Sequence, residues 1–418
     1  MVNTKYATII PLIGGMTVAN KKAIGHNPEF IVSYDAFAKN DVHITKYMED
    51  VPYHVIPEGD EDLVSPSLKS SYYEKLDFVS TVCPCAGLSM LNNSSGGASS
   101  RGSDAVQNDW MYKSAQWVFE NLRPKVFWGE NAPGLYTTIG DGVRDRLKQM
   151  AAEHGYSFSI IKTDTFLHGI PQHRRRTFYF FWRDTNAPIL NWHSHETQHL
   201  NDYLNLIPEE APYQDIFFTR STPVSDWKLY EYVLEKTGMT DVEFRKHYLG
   251  ALYHYVSKQG WVDDAIKWLD ERYPEYEGEE RKKLEHIKRK VQDGKGFWDS
   301  SPFFVNDHVN AIIGKNMHVI VHPTKDRFLN IRECMWLMGL PHDFTLHAEN
   351  QNWNWNHICQ NVPVKTATDW TNEVLKYVKG ELKDSGCSYI MQDNTTQNIT
   401  YTETKINKKV KYKTHSVL

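Results

Sequence analysis

The sequence has only five cysteines in 418 residues, no excess of positive charge and no long apolar run. A cysteine count so sparse and odd argues against a disulfide framework and for reduced thiols, one of which is available for chemistry. With 47 basic and 52 acidic residues the formal net charge is −5, so any contact with a polyanion must come from local patches. No stretch approaches the roughly 20 apolar residues that span a bilayer, and the N-terminus lacks the basic-then-apolar layout of a signal peptide. The expected location is cytoplasmic, without a membrane partner. What is present is a folding composition: 40% hydrophobic, with 13 Trp and 23 Tyr, far from that of a disordered chain. The length suits two or three domains.

Along the chain, residues 6–13 form a β-branched run that ends at Gly14-Gly15, and Met16 to Ile24 has helical character. Residues 30–34 read as a second strand closed by Asp35, and Leu76 to Val82 as another that enters Cys83-Pro84-Cys85. Strand, turn, helix, strand opens a doubly wound, mostly parallel α/β sheet of the Rossmann-like kind. Helices are predicted over Trp110–Leu122 and Val143–His154, and strands over Lys125–Trp128, Phe158–Ile161 and Thr177–Trp182, the last two as a hairpin. Four regions follow: 1–183, a catalytic α/β domain; 184–302, a smaller helix-rich insert; 303–380, a return segment; and 381–418, a polar tail with five lysines between Lys405 and Lys413. Within the insert, Thr240 and Glu243 make a capping box, with Val242, Phe244, Tyr248, Leu249, Leu252 and Val256 spaced to line one helical face.

Several residues carry possible chemistry. A Gly-Gly turn between strand and helix lets a ligand approach the backbone, and an acidic strand end such as Asp35 can take ribose hydroxyls. Cys85 lies at the carboxyl end of a strand, where open sheets bind ligands, beside a Gly/Ser-rich stretch from Asn92 to Ser103. An arbitrary cysteine is more often a small buried hydrophobe. Cys83 and Cys85 have no second Cys/His pair at zinc spacing, so no metal is expected. Glu130-Asn131 ends a further strand at the same edge, and a carboxyl beside apolar Val126, Phe127 and Trp128 is set up for a raised pKa. Gln172-His173-Arg174-Arg175-Arg176 then leads into an apolar strand, a layout suited to anion recognition.

Taken in order, these motifs resemble the DNA cytosine methyltransferases that act on carbon 5. Pro84-Cys85-Ala86-Gly87-Leu88-Ser89 is similar to the family's Pro-Cys-Gln-Gly-Phe-Ser, Glu130-Asn131-Ala132 to Glu-Asn-Val, and Gln172, Arg174 and Arg176 to Gln-x-Arg-x-Arg. Arg332-Glu333, Gly339-Leu340-Pro341 with Phe344, and Val362-Pro363 extend the likeness to 303–379. The sequence departs at the cofactor turn, where Ile10 and Leu12 replace the family's Phe and first Gly, at Ala86, and at Cys359-Gln360, which replace a late Gly-Asn pair. Such departures mark a divergent member, of phage or bacterial restriction-modification type.

The resemblance implies S-adenosylmethionine as cofactor, held by Ile10 against the adenine, Gly14, Gly15 and Pro84 near the methionine end, Asp35 at the ribose and Asp60 at the adenine amino group. It implies Cys85 as nucleophile, Glu130 as partner of the ring N3 and amine, and Arg174 and Arg176 at the base carbonyl. Double-stranded DNA is the implied partner, touched by Ser89, Arg101 and Gln172, with 92–103 as a closing lid over a flipped base. The insert is where such enzymes carry target recognition, and the basic stretch 279–290 is either a DNA contact or a solvated helix face. A monomer or weak dimer is expected. Two alternatives stand beside this: a catalytically silent relative that binds DNA or a partner, and cytosine chemistry on RNA or with another one-carbon donor.

Overall fold

Unbroken apolar runs mark strands buried on both faces, the habit of sheets sandwiched between helices. The computed structural model describes residues 4–58, 64–89, 102–210, 223–276, 278–297, 299–314, 319–347 and 351–401. Its main sheet is built from β1 (Tyr6–Ile9), β2 (Ile31–Tyr34), β3 (Tyr53–Ile56), β4 (Phe78–Val82), β5 (Val126–Asn131), β6 (Ser157–Asp164), β7 (Arg175–Trp182), β8 (Tyr389–Asp393) and β9 (Asn398–Tyr401). Spatial order is β9-β8-β6-β7-β5-β4-β1-β2-β3. The strands from β3 to β5 in that order are parallel, and β7 runs antiparallel between β5 and β6. The Phe158–Ile161 and Thr177–Trp182 pairing is therefore as expected, with Phe158 opposite Phe181 and Ile161 opposite Phe178. β1, β2, β4 and β5 are buried at every residue. Trp128 stacks on Phe180 across β5 and β7, with centroids 5.5 Å apart, which adds to the burial of two large rings.

Helix Gly15–Ile24 covers one face beside helix Val364–Val378, the return segment's last helix. Asn20 links the layers, since its Nδ2 donates to Ser80 Oγ of β4 at 2.8 Å and its Oδ1 accepts from Thr371 Oγ1 at 2.9 Å. The return segment is thus part of the frame that holds the first sheet connection.

The polar-tail reading of 381–418 fails over 383–401. Tyr389–Asp393 pairs in parallel with β6 and turns into β9, because Tyr389 and Ile390 are apolar enough to be fully covered there. The lysine-rich residues beyond 401 lie outside the described residues. A second hydrophobic cluster gathers Leu229, Tyr230, Phe244, Leu252, Leu284 and Ile287 of the insert with Phe304, Val319, Val321 and Phe328 of the return segment. By contrast, Leu190, Leu200 and Tyr203, ahead of the helical insert, pack into the first core.

The capping box at Thr240 forms in full, with Thr240 Oγ1 accepting from Glu243 N and Glu243 Oε2 accepting from Thr240 N. The single face expected behind it does not. The helix stops at His247 and a new one starts at Leu252, so Phe244, Leu252 and Val256 are buried while Val242 and Leu249 are exposed. Among the described residues, no helix is long and apolar enough to cross a membrane.

Candidate active site

The sheet carries the site at the carboxyl ends of β4 and β5, where ligands bind in open α/β sheets. Val82 is registered opposite Glu130, and Glu130 opposite Phe178, so the chain beyond β4, the end of β5 and the start of β7 meet at one edge. Gly129 precedes Glu130 for a packing reason: a Cβ there would fall 2.5 Å from the Tyr179 ring. A cavity of about 530 Å³ opens at this edge, lined by Cys85, Ser89, Ala132, Pro133, Asp164 and Arg176 among others. That is ample for one nucleobase.

Residues 172–176 obey the two-residue period of a strand. Gln172 and Arg174 point inward, His173 and Arg175 outward, and Arg176 is mostly covered. Arg176 Nε lies 2.6 Å from Glu130 Oε1, and its Nη1 donates to the Arg175 carbonyl. Burial pushes the Glu130 carboxyl up, against the opposing pull of Arg176 and Arg174. Burial also pushes the Cys85 thiol up, with Arg176 and Arg174 drawing it down and Glu130 adding to the rise. Desolvation wins in both cases. The resting site holds a protonated thiol next to a carboxyl that keeps its proton more readily than an exposed glutamate.

Two expected roles are corrected. Gln172 is fully buried: its Nε2 donates to Leu337 O and its Oε1 accepts from Ile312 N, so its amide is satisfied by backbone and offers nothing to DNA. Arg174 is also buried, donating through Nη1 to Ile312 O and through Nη2 to Cys359 O and Asn361 O. Burial and the neighbouring Arg176 charge bring its pKa down to about 9. It fastens the return segment behind the site, so its guanidinium is engaged by backbone carbonyls and is not presented to a base carbonyl. Ser89 is half-buried on the cavity wall. Asp60, Arg101 and, apart from Gly102 and Ser103, the 92–103 stretch lie outside the described residues.

Sequence reasoning missed Asp164, His173 and Asn310 in the same cavity. Asn310 arrives because Val309–Asn310 pairs with Gln172–His173, a contact across 137 residues that no local pattern announces. It also missed Asn361, whose Oδ1 accepts from Gly15 N at 2.8 Å, whereas Gln360, at the position of the family's Asn, is exposed. The basic helix Glu279–Gln292 packs on helix Val262–Arg272, with Arg281 paired to Asp270 and Lys288 to Asp263, which favours the solvated-face reading.

The model of the C-5 cytosine-specific DNA methylase family matches residues 13–376. The chain belongs to that family. It is 22% identical over 318 residues to the type II methyltransferase M.Bpa9945I of Bacillus paralicheniformis, covering 68% of this chain and 66% of that one. It is 32% identical over 106 residues to the type II methyltransferase M.AgeI of Thalassovita gelatinovora, covering 25% and 23%. The matched parts thus fall short of two thirds of these relatives. Among solved structures, the fold is shared with a protein assigned as a prophage-encoded DNA modification methyltransferase of E. coli (TM-score 0.54, 15% identity, 90% of this chain and 100% of that one). It is shared too with the methyltransferase EhMeth of Entamoeba histolytica (TM-score 0.52, 10% identity, 90% and 99%).

Family and fold imply a methyl donor. The residues present fit such a nucleoside-containing group at one end. Asp35 is exposed at the carboxyl end of β2 and Pro84 is half-buried beside Cys85. Phe37, two residues on from Asp35, is buried and packs edge-on against the half-buried Trp110, ring centroids 4.6 Å apart. Ile10 does not fit. It is 0% exposed and presents no face to an adenine. A Cβ on Gly14 would fall 2.5 Å from Ile44, and one on Gly15 2.3 Å from Val362 O, so both glycines are needed for protein packing against these side chains and backbone. Ile10, Leu12 and Gly14 all take positive φ, with 50° at the first two. That strain, where the family has Gly at the second position, is tolerated because surrounding packing fixes it.

Proposed function

We propose that the chain transfers a methyl group from S-adenosylmethionine to carbon 5 of a flipped-out cytosine in duplex DNA, through a covalent adduct at Cys85. The observation that carries this reading is that Cys85 and Arg176 line one nucleobase-sized cavity, with Glu130 buried directly behind it and paired to Arg176 at 2.6 Å. Carbon 5 of cytosine is a poor nucleophile until carbon 6 has been attacked. Loss of the Cys85 proton, eased by Arg176 and Arg174, lets sulfur bond to carbon 6 and moves the double-bond electron pair toward carbon 5. Glu130, which its burial makes hold a proton more readily than an exposed glutamate, gives a proton to N3 as the ring gains charge, and Arg176 holds both Glu130 and the base carbonyl. The donor supplies an electrophilic methyl group when bound, and Asp35 is the residue placed to hold its ribose. Loss of the carbon 5 proton to water then lets the electron pair of that bond re-form the carbon 5–carbon 6 double bond and expel the Cys85 thiolate. N3 returns its proton to Glu130, and the thiolate regains from solvent the proton it gave up to solvent at the start.

Cys85 is half-buried on the wall of a concave cavity, which supports base flipping, since a base stacked in a duplex does not enter such a cavity. The test is incubation with labelled S-adenosylmethionine and duplex DNA, followed by digestion to nucleosides, with RNA in parallel. Labelled 5-methyldeoxycytidine from wild type and none from Cys85→Ser is the expected result. DNA binding without any methylated nucleoside would leave the silent-relative reading in its place.

A further inference from the structure

Away from the cavity, three segments bring imidazoles and a carboxylate together. His168 ends the turn Thr165–His168 between β6 and β7; His193 and His195 lie on the irregular stretch between β7 and the helix Leu200–Leu204; and Asp369 lies on helix Val364–Val378. Asp369 Oδ2 is 2.6 Å from His168 Nδ1 and 2.9 Å from His195 Nε2. One ligand atom from each of these three residues lies within 4.8 Å of the others. His193 Nδ1 is 3.9 Å from the same oxygen. His168 is buried with its other nitrogen 2.8 Å from Thr163 Oγ1, which is itself anchored by Asn394 Nδ2 at 3.1 Å.

We infer that His168, His195 and Asp369 form a binding site for a divalent transition metal of the zinc class, which clasps these three segments together. Two nitrogens and one carboxylate oxygen with no thiol suit zinc among the common cellular ions. Tetrahedral zinc with bonds of about 2.0–2.1 Å sets its ligand atoms roughly 3.3 Å apart, so the two contacts to Asp369 need open by less than about 1 Å and the two imidazole nitrogens, within 4.8 Å of one another, close by at most about 1.5 Å. His168 is pre-oriented by Thr163, the outer hydrogen bond that ligating histidines use. His195, half-exposed, provides both the route in and the freedom to adjust. The fourth position falls to water or to His193. Binding exchanges the protons now shared between the imidazoles and Asp369 for the ion and releases them to solvent. The spacing rule that excluded a metal on Cys83 and Cys85 does not detect this set, because His168 and Asp369 are 201 residues apart.

Its position makes the consequence structural. The turn that ends at His168 leads directly into Gln172 and Arg174, and helix Val364–Val378 packs on the helix that follows the glycine turn. The full-length protein, stripped with a chelator and dialysed, is titrated with cobalt(II) and followed by visible absorption, then back-titrated with zinc. One equivalent is expected, with a d–d spectrum lacking thiolate charge-transfer bands and unchanged in Cys85→Ser. Asp369→Asn and His195→Ala should each weaken binding about tenfold or more, and zinc should raise the melting temperature of wild type alone. His195→Ala removes a half-exposed side chain, so it remains informative if Asp369→Asn fails to fold. Absence of saturable binding at one equivalent in wild type, or equal binding in His195→Ala, would overturn the site and leave a hydrogen-bonded cluster only.

Discussion

At one part of the sheet edge, Cys85 and Arg176 line a shared cavity with Glu130 paired behind them; at the other, Ile10 is fully buried, Gly14 lies against Ile44, and Gly15 against Asn361 and Val362. The first side keeps Cys85, Glu130 and Arg176 in the family's pattern, with Ala86 as its departure, and the second has exchanged an aromatic and a glycine for aliphatic side chains. The difference teaches where substitution is tolerated. A nucleophile and an acid act through single atoms, whose replacement ends the reaction. A cofactor turn acts largely through backbone and shape, so Ile10 and Leu12 can stand in it while neighbouring residues keep it folded.

The comparison breaks most sharply at Cys85. Cys85→Ser should lower methylation by more than about a thousandfold with DNA affinity retained, as nucleophile losses do; activity within tenfold of wild type in a nucleoside assay contradicts the base-side account. Ile10→Ala belongs to the other side and should act on folding. As a fully buried residue it should cost about 2–5 kcal/mol in denaturant unfolding, with the KM for donor unchanged in whatever protein folds.

Acid–base behaviour sharpens the base side. The Cys85 thiol sits above its ordinary range, so thiolate is scarce near neutrality and kcat/KM should climb as pH rises through the usual thiol range. Arg176→Gln removes the largest influence holding that pKa down, so the alkaline limb should move further up and the rate at neutral pH fall about a hundredfold. A pH–rate profile that is flat over this range in wild type would rule out a rate-limiting thiol ionisation.

Gln172 and Asp35 distinguish buried supports from ligand contacts. Gln172→Ala leaves Ile312 N and Leu337 O without their partner and should cost about 1–3 kcal/mol of stability, while the salt dependence of DNA affinity stays the same. Asp35→Asn, at an exposed carboxylate, should raise the donor KM by roughly tenfold and leave the melting temperature unchanged, since a hydrogen bond to a charged group contributes about 1.5–3 kcal/mol. Equal effects on kcat would place Asp35 elsewhere in the reaction.

How much of this is legible in the sequence follows the range of the forces involved. Runs such as Phe178 to Trp182, the Gly14-Gly15 turn and the Thr240–Glu243 cap are local, and they announce β7, the first sheet connection and a helix start. The two-residue spacing of Gln172, Arg174 and Arg176 gives their common face, but not that Gln172 and Arg174 turn that face into protein. Their partners, Ile312, Leu337, Cys359 and Asn361, come from the return segment more than 130 residues away. For the same reason Asn310 and the β8 strand escape notice: each is ordinary in its own neighbourhood and acquires its place by pairing with a distant strand. Composition misled at the tail, where Thr- and Asn-rich flanks conceal the short apolar core of Tyr389 and Ile390.

The central claim is that Cys85 adds to carbon 6 of a cytosine held by Glu130 and Arg176. Duplex DNA carrying 5-fluorocytosine, incubated with the protein and S-adenosylmethionine, tests it most directly, because fluorine at carbon 5 cannot leave as a proton does and stops the reaction at the adduct. The account predicts a protein–DNA complex that survives denaturing electrophoresis, maps to the peptide containing Cys85 and is absent in Cys85→Ser. Methylated cytosine from normal DNA without any such complex, or a complex that persists in Cys85→Ser, would contradict it.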